Sequence, residues 1–472
     1  MLKKLFAIAL SVLLLCLLSG CDTILFSSVD NLMRPPKISG EVNSQLMEAF
    51  ETSVGGKYSL KYPLSGEYQS PCVMYDMDND GTDEAIIFYS PENESTTVRM
   101  AFFDYVEEEW SIVSDFKGLG NSINQINFED IRNDGSVQVV VSWGFFDTKT
   151  ASILSIYNVG FSEENIINSV QLIFDEPYSA MKIFDVDGSG GKEIFLISSI
   201  TSNGNVKKVG TLYAVRSDGS IASVSSVTMD STVSGYASIK LEPATENKPY
   251  RIFVDAIKGD ISMSTEIIYW DSNINGLSSP LLNTDTQSVT STVRSMRIES
   301  RDINGDGLIE TPLQVPLPGS YTTSSSLKAE ATTDDSSSAT LAISSTASVF
   351  LTKWCTFSSD NKFVPVAYSA INSSDYYVFN FKTEWLDRIT IENDVENRVW
   401  TFYEIRKSDA ALGDKLFSIA TIPSLDWSEE KYTDYVKIAE NNSLVYAAKI
   451  FDSAKDYGIT SNVIMQQFEI IE

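Results

Sequence analysis

The chain has 472 residues, 43% of them hydrophobic, and a formal charge of −29, so it can bury a sizeable core while presenting an acidic surface. Such a surface repels nucleic acid and anionic lipid. There is no histidine, which excludes Ser-His-Asp and Cys-His catalysis, histidine-ligated zinc and the commonest general base.

Residues 1–21 read MLKKLFAIALSVLLLCLLSGC. Lys3 and Lys4 precede an apolar run, and Leu18-Ser19-Gly20 precede Cys21. This resembles a bacterial lipoprotein signal, in which residues 1–20 are removed and Cys21 carries the lipid. A plain secretory signal or a membrane anchor is the alternative, although the run is short for a span. A lipid at Cys21 would hold the chain on the extracytoplasmic face of a bacterial cell membrane. Loss of residues 1–20 takes away Lys3 and Lys4 and leaves −31. Residues 21–40 read as a tether stiffened by Pro35 and Pro36. In EVNSQLMEAFETSV, the fourfold spacing of Val42, Leu46, Phe50 and Val54 predicts an amphipathic helix packed on the domain that follows.

Four acidic loops come next: DMDNDGTDE (76–84), DIRNDGSVQ (130–138), DVDGSGGKE (185–193) and DINGDGLIE (302–310). Each has Asp first and Gly sixth, ahead of a run such as AIIFY, VVVSW or IFLIS. Ca²⁺ takes about six to eight oxygens, and alternate residues of a tight loop can supply them. The first loop offers Asp76, Asp78, Asp80, the Thr82 carbonyl and Glu84. The third offers Asp185, Asp187, Ser189, the Gly191 carbonyl and Glu193. The fourth offers Asp302, Asn304, Asp306, the Leu308 carbonyl and Glu310. In the second, Asp130, Asp134 and Ser136 remain, but Arg132 and Gln138 replace two ligands. That loop should be weak or empty, with the Arg132 cation standing in for the metal. An EF-hand needs Glu at position twelve, whereas these loops have Ile87, Leu196 and Leu313 there. Ordinary Asp/Asn-Gly turns are the competing reading.

The first positions are 54, 55 and 117 residues apart. The double interval predicts a ligand-free repeat starting near Pro243, with Arg251-Ile-Phe-Val in the strand position. Phe103, Tyr157, Tyr213 and Tyr269 follow their repeat starts by 27, 27, 28 and 26 residues. Repeats of this length with several short strands predict a radial array such as a β-propeller; a β-solenoid is the alternative. The loops resemble the FG-GAP/VCBS-type repeats of integrin-α-like β-propellers, over about residues 57–370. LKYPLSGEYQSPCVMYDMDNDGTDEAIIFY looks like the opening blade of FG-GAP-type bacterial lipoproteins. The resemblance implies a mainly β fold, a propeller of at least five repeats of ~55 residues, with structural calcium in loops joining two strands of a blade. About three Ca²⁺ sites follow from the intact loops.

Residues 41–372 are assigned to the propeller and its leading helix, with a Ser/Thr-rich excursion at 319–346. Beyond 373 the texture changes, which predicts a small α+β or β-rich domain over 373–472. Its Trp385, Trp400, Tyr403, Trp427, Tyr432, Tyr435 and Tyr446 are either a binding face or core. Cys72 and Cys355 are either two buried thiols or a ring-closing disulfide. No Walker A, dinucleotide-binding, CxxC or GxSxG pattern occurs, and the Ser359-x-x-Lys362 turn lacks its companion motifs. The expected role is non-catalytic: a surface binding or scaffold module for a protein or a cell-wall glycan. The alternatives are a histidine-free polysaccharide lyase or glycosidase and a purely architectural envelope component.

Overall fold

Leu46 and Phe50 lie four residues apart on helix Glu41–Val54, and both are fully buried. Phe50 meets Tyr58, Tyr89 and Phe103 edge-on, with centroids 4.9, 5.0 and 6.1 Å apart. The expected helix therefore packs on a β-sheet. This computed structural model describes residues 41–146, 148–162, 166–202, 204–245, 249–323, 349–406 and 412–471. Cys21, the tether and all but the start of the Ser/Thr-rich excursion lie outside the described residues. No described helix is long and apolar enough to cross a membrane.

The described chain is mainly β, in six sheets. In the first sheet, Tyr58–Leu60 and Cys72–Tyr75 both pair with Glu84–Pro91, which is followed by Arg99–Val106 and Glu109–Lys117. The second runs Ser122–Glu129, Gln138–Phe145, Thr148–Phe161, Ile167–Tyr178. The third runs Ala180–Phe184, Glu193–Ser202, Asn205–Val215, Ile221–Met229. The fourth runs Gly235–Glu242, Arg251–Lys258, Ser262–Asp271, Gly276–Ser278. The second to fourth are antiparallel meanders in chain order, the form of a propeller blade. Glu84–Pro91 and Gln138–Phe145 are buried on both faces. That is why their sequences are continuous apolar runs rather than alternating ones.

The aromatic markers sit on the third strands, where Phe103 pairs with Ala85, Tyr157 with Val139, Tyr213 with Ile194 and Tyr269 with Arg251. Tyr269 pairs one repeat position earlier than the others, which accounts for its shorter spacing.

Two compact units result. Of the described residues, one holds those from 41 to 176 apart from Asp130–Gly135; the other holds Asp130–Gly135 and those from Pro177 onward. In the first, Val73, Phe88, Phe102 and Trp143 share a core. In the second, Phe195, Ile197, Ile252 and Ile268 share another.

Strand pairing runs across residue 373, where the sequence changes texture. Phe363–Asn372 forms a hairpin with Tyr377–Phe381, pairing Tyr368 with Phe381 and Asn372 with Tyr377. The fifth sheet runs Thr311–Pro316, Phe350–Phe357, Phe363–Asn372, Tyr377–Phe381 and then Phe468–Ile470, which pairs antiparallel with Tyr377–Phe379. The sixth contains Ile389–Asp394, Val399–Ile405, Leu412–Pro423, Leu444–Ile450 and Val436–Glu440, with Tyr321–Thr323 added in parallel. A single core joins Leu351 and Ala370 to Phe379, Trp400 and Phe417. The change of texture near 373 marks the loss of the acidic loops, not a break in the core. Among the described residues there, helix is limited to Ser461–Gln467 and short 3-10 turns.

Trp385, Trp400, Tyr403 and Tyr446 are core residues. Trp427 and Tyr432 stack at 5.2 Å beside Tyr435, all half-buried. Cys72 and Cys355 are both free and buried. Burial pushes the Cys72 thiol up to about 12 and the Cys355 thiol up to about 11, so both are poor nucleophiles.

Candidate metal loops

In the first sheet the loop joins Cys72–Tyr75 to Glu84–Pro91, and in the second and third it joins the first strand to the second. The fourth loop is closed at its base by a bridge between Arg301 and Glu310 and leads into Thr311–Pro316. Gly81, Gly135, Gly190 and Gly307 take positive φ of 92°, 84°, 92° and 83°, as their sixth position requires. Position four is left-handed too: Asn79, Asn133, Gly188 and Gly305 have φ of 62°, 57°, 75° and 76°. The sequence carries this signal as Asn, Asn, Gly, Gly, the residues that tolerate that conformation, although the ligand pattern alone does not use it.

The first Asp builds each loop. Asp76 accepts from Asp80 N at 3.1 Å and from Gly81 N at 3.0 Å. Asp185 accepts from Gly188, Ser189 and Gly190 N–H groups at 2.7–3.1 Å. Asp302 accepts from Asn304, Gly305, Asp306 and Gly307, and these bonds hold its carboxyl below the usual range. Asp130 does the same with Asp134 and Gly135. The third residue accepts one more bond: Asp78 from Asp80 N–H, Asp187 from Ser189 N–H and Asn304 from Asp306 N–H. The ninth residue closes the loop: Glu84, Glu193 and Glu310 accept from the position-two N–H of Met77, Val186 and Ile303 at 2.7, 3.0 and 3.0 Å.

Asp76, Asp78 and Glu84 bring one oxygen each within 4.8 Å of one another, as do Asp185, Asp187 and Glu193. Such a group can hold a divalent cation. Asp78 Oδ2 and Glu310 Oε1 are buried and accept no hydrogen bond, a state that costs free energy without a partner. Burial, with crowding by Asp78, Asp104 and Asp76 added and opposed by the Met77 N–H, pushes Glu84 up to about 8. Burial also raises Glu193, Glu310 and Asp78, and neighbouring carboxylates add to it. These are the electrostatics of sites suited to a cation.

The remaining predicted ligands are placed differently. Asp80 is exposed and spends Oδ1 on Thr82 N at 2.7 Å. Asp306 accepts from Leu308 N at 2.8 Å and from Asn304 Nδ2 at 3.0 Å. In the fourth loop three carboxylates do not converge among the described residues, because its third ligand is the Asn304 amide. In the second loop, Gln138 Nε2 donates to the Ser136 carbonyl at 3.0 Å. Arg132 Nη2 donates to the Gly219 carbonyl at 3.4 Å, in a turn of the third sheet. A long side chain at position three points past the small loop.

The ligand-free fourth sheet carries its own cation. Arg251, at the ninth position of the cryptic repeat, donates Nη1 to Glu242 Oε1 at 3.0 Å and to the Phe357 carbonyl. Glu242 Oε2 accepts from Ile309 N in the fourth loop at 3.0 Å. Both charges are buried.

The sixth-position glycines differ in their surroundings. A Cβ on Gly81 would meet open space, whereas one on Gly190 would lie 2.2 Å from Asn133 Nδ2. That contact is with the tip of an exposed side chain, which can swing aside, so Gly190→Ala and Gly81→Ala are both expected to cost mainly the shared penalty of a positive φ, about 1–3 kcal/mol. Urea melts of the two variants check this; a loss below about 0.5 kcal/mol in either would contradict it.

No protein-family model and no curated protein matches the chain. Among solved structures, the Chaetomium thermophilum protein Sqt1 aligns at 10% identity with a TM-score of 0.29, over 86% of this chain and 98% of that one. A likeness at that level carries no weight for fold or function. The chain offers no histidine-based catalytic arrangement.

Proposed function

We propose that this protein is a non-catalytic surface lipoprotein whose calcium-stabilised β-propeller serves as a binding or scaffold module. Its partner is a protein or a cell-wall glycan, and Cys21 is its lipid anchor on the extracytoplasmic face of a bacterial membrane. The observation that carries this reading is the recurrence of one loop geometry, with converging carboxylates at Asp76/Asp78/Glu84 and Asp185/Asp187/Glu193. The oxygen-only donor set, with neither histidine nor cysteine, suits a hard cation. Asp302, Asn304, Asp306, the Leu308 carbonyl and Glu310 would form a third site. Calcium binds only the folded loops and so stabilises the fold.

Asp76 and Asp302 each hold several backbone N–H groups. Their replacement should therefore lower stability with or without an ion. Asp78 gives the cleaner test, because its Oδ2 has no protein partner. Asp78→Ala is expected to cost about 2–3 kcal/mol more at calcium near 100 times Kd than in EDTA, since the variant forgoes that site's linkage. Calorimetric titration should find about three ions in the wild type. An equal loss in both conditions rules out ligation by Asp78.

A further inference from the structure

In the first sheet the register sets Ala85 against Phe103, so the next rung places Glu84, the last residue of the loop, opposite Asp104. Both carboxylates are buried, at 2% and 3% exposure. Each spends one oxygen on a backbone N–H: Glu84 accepts from Met77 and Asp104 from Ile167, both at 2.7 Å. Among the described residues neither accepts a further hydrogen bond or meets a cation. Like charges directly opposite on a sheet are destabilising, and Asp104 crowds Asp78 as well as Glu84. Asp78 Oδ2, also buried, accepts nothing. The protein supplies no positive charge to this group among the described residues.

The other repeats vary the same rung. In the second sheet it holds Gln138 and Asn158, so both acids become amides beside the loop whose ligands are replaced. In the third, Ile194 pairs with Tyr213, which sets Glu193 opposite Ala214; the loop acid is kept and its facing acid is missing. Asp104 lies outside the loop motif and is not one of the three carboxylates that converge. Ca²⁺ takes waters among its ligands, and a buried carboxylate oxygen with no protein partner is an acceptor for one.

We propose that Asp104 is a positioning residue of the first metal site, holding with its unbonded oxygen a water bound to the ion. The proposal rests on the metal reading above. Its other oxygen holds Ile167 at the start of the last strand of the second sheet, so an ion on the first loop bears on that strand too.

The test uses the full chain and hydrogen exchange read by mass spectrometry along a calcium titration, with residues 76–90 reporting the first loop and 185–199 the third. Asp104→Asn removes the charge and keeps an acceptor for the Ile167 N–H. The calcium midpoint of the first loop should rise about tenfold, the lower end of what such outer partners contribute, while that of the third stays in place. Urea melts in EDTA should show the variant no less stable than the wild type, because the opposed charges are gone; in calcium it should be less stable. Asp175→Asn takes the same charge from an exposed site on the second sheet and should move neither midpoint. Ala214→Asp supplies the missing acid beside the third loop and should lower its midpoint about tenfold, which decides the matter if Asp104→Asn does not fold.

An unmoved first-loop midpoint in Asp104→Asn, or a loss of stability equal in calcium and EDTA, overturns the proposal. Where that variant does not fold, an unmoved third-loop midpoint in Ala214→Asp overturns it. If neither loop of the wild type gains protection with calcium, the metal reading falls as well.

Discussion

Stripped of divalent cations, the chain is expected to lose stability as pH rises from 5 to 8. With no histidine present, carboxylates displaced upward dominate this window. Burial pushes Glu84 up to about 8. Burial, opposed by bonds from Ser279 Oγ and Asp230 N–H, pushes Glu266 up to about 7. Glu193 and Glu310 move the same way. In the unfolded chain all four return to about 4.3. Between the two values the folded state binds more protons, so stability falls with rising pH. For Glu84 the penalty starts near its unfolded pKa and is complete above about 8, at a cost of at most about 5 kcal/mol. Calcium should flatten the slope, because an ion on the loop takes the deprotonated form. Urea melts at pH 5, 6.5 and 8, in EDTA and in calcium, read this directly. Stability that is level or rising in EDTA would refute the argument.

Asp255→Ala should be among the most damaging substitutions in the chain, at about 3–5 kcal/mol, because it leaves a buried charge unpaired. Asp255 and Arg294 are both wholly buried, with Nη2 and Oδ1 2.9 Å apart. Thr265 Oγ1 and Ser300 Oγ also donate to Oδ1, at 2.6 and 3.0 Å. Oδ2 takes Ser300 N and Ser238 Oγ, both at 2.9 Å. This network fastens the segment around Ser300 to the fourth sheet, just before the fourth loop begins at Asp302. A paired Asp255→Leu, Arg294→Met variant should lose less than either single truncation, since no lone charge remains. Denaturant melts of the four proteins give the coupling, and additive losses would show that the pair does not act as a unit.

The loops were legible in the sequence because Asp, Gly and Glu recur at fixed offsets, and the helix because Leu46 and Phe50 repeat every fourth residue. The aromatic markers were legible because each third strand places a ring at a nearly constant distance from its loop. The rest depended on long-range pairing. Nothing local in Phe468–Ile470 announces Tyr377–Phe379 as its partner. The parallel pairing of Tyr321–Thr323 with Ile389–Asp394 is equally silent. The direction of Arg132 was not legible, because composition gives a side chain's charge but not where it points. The buried pairing of Arg251 was hidden too, because its partner, Glu242, lies outside the repeat's ligand positions.

The fifth sheet has a consequence for the order of events during synthesis. Its strand Tyr377–Phe381 leaves one edge bare until Phe468–Ile470 arrives, after the whole sixth sheet has been made. Until then the chain exposes an apolar edge bearing Tyr377 and Phe379, a template on which another unfolded chain can pair. Folding of this region therefore waits on residues 468–470 instead of following the growth of the fifth sheet. A chain cut shortly before residue 468 would keep that edge unpaired and be prone to aggregate.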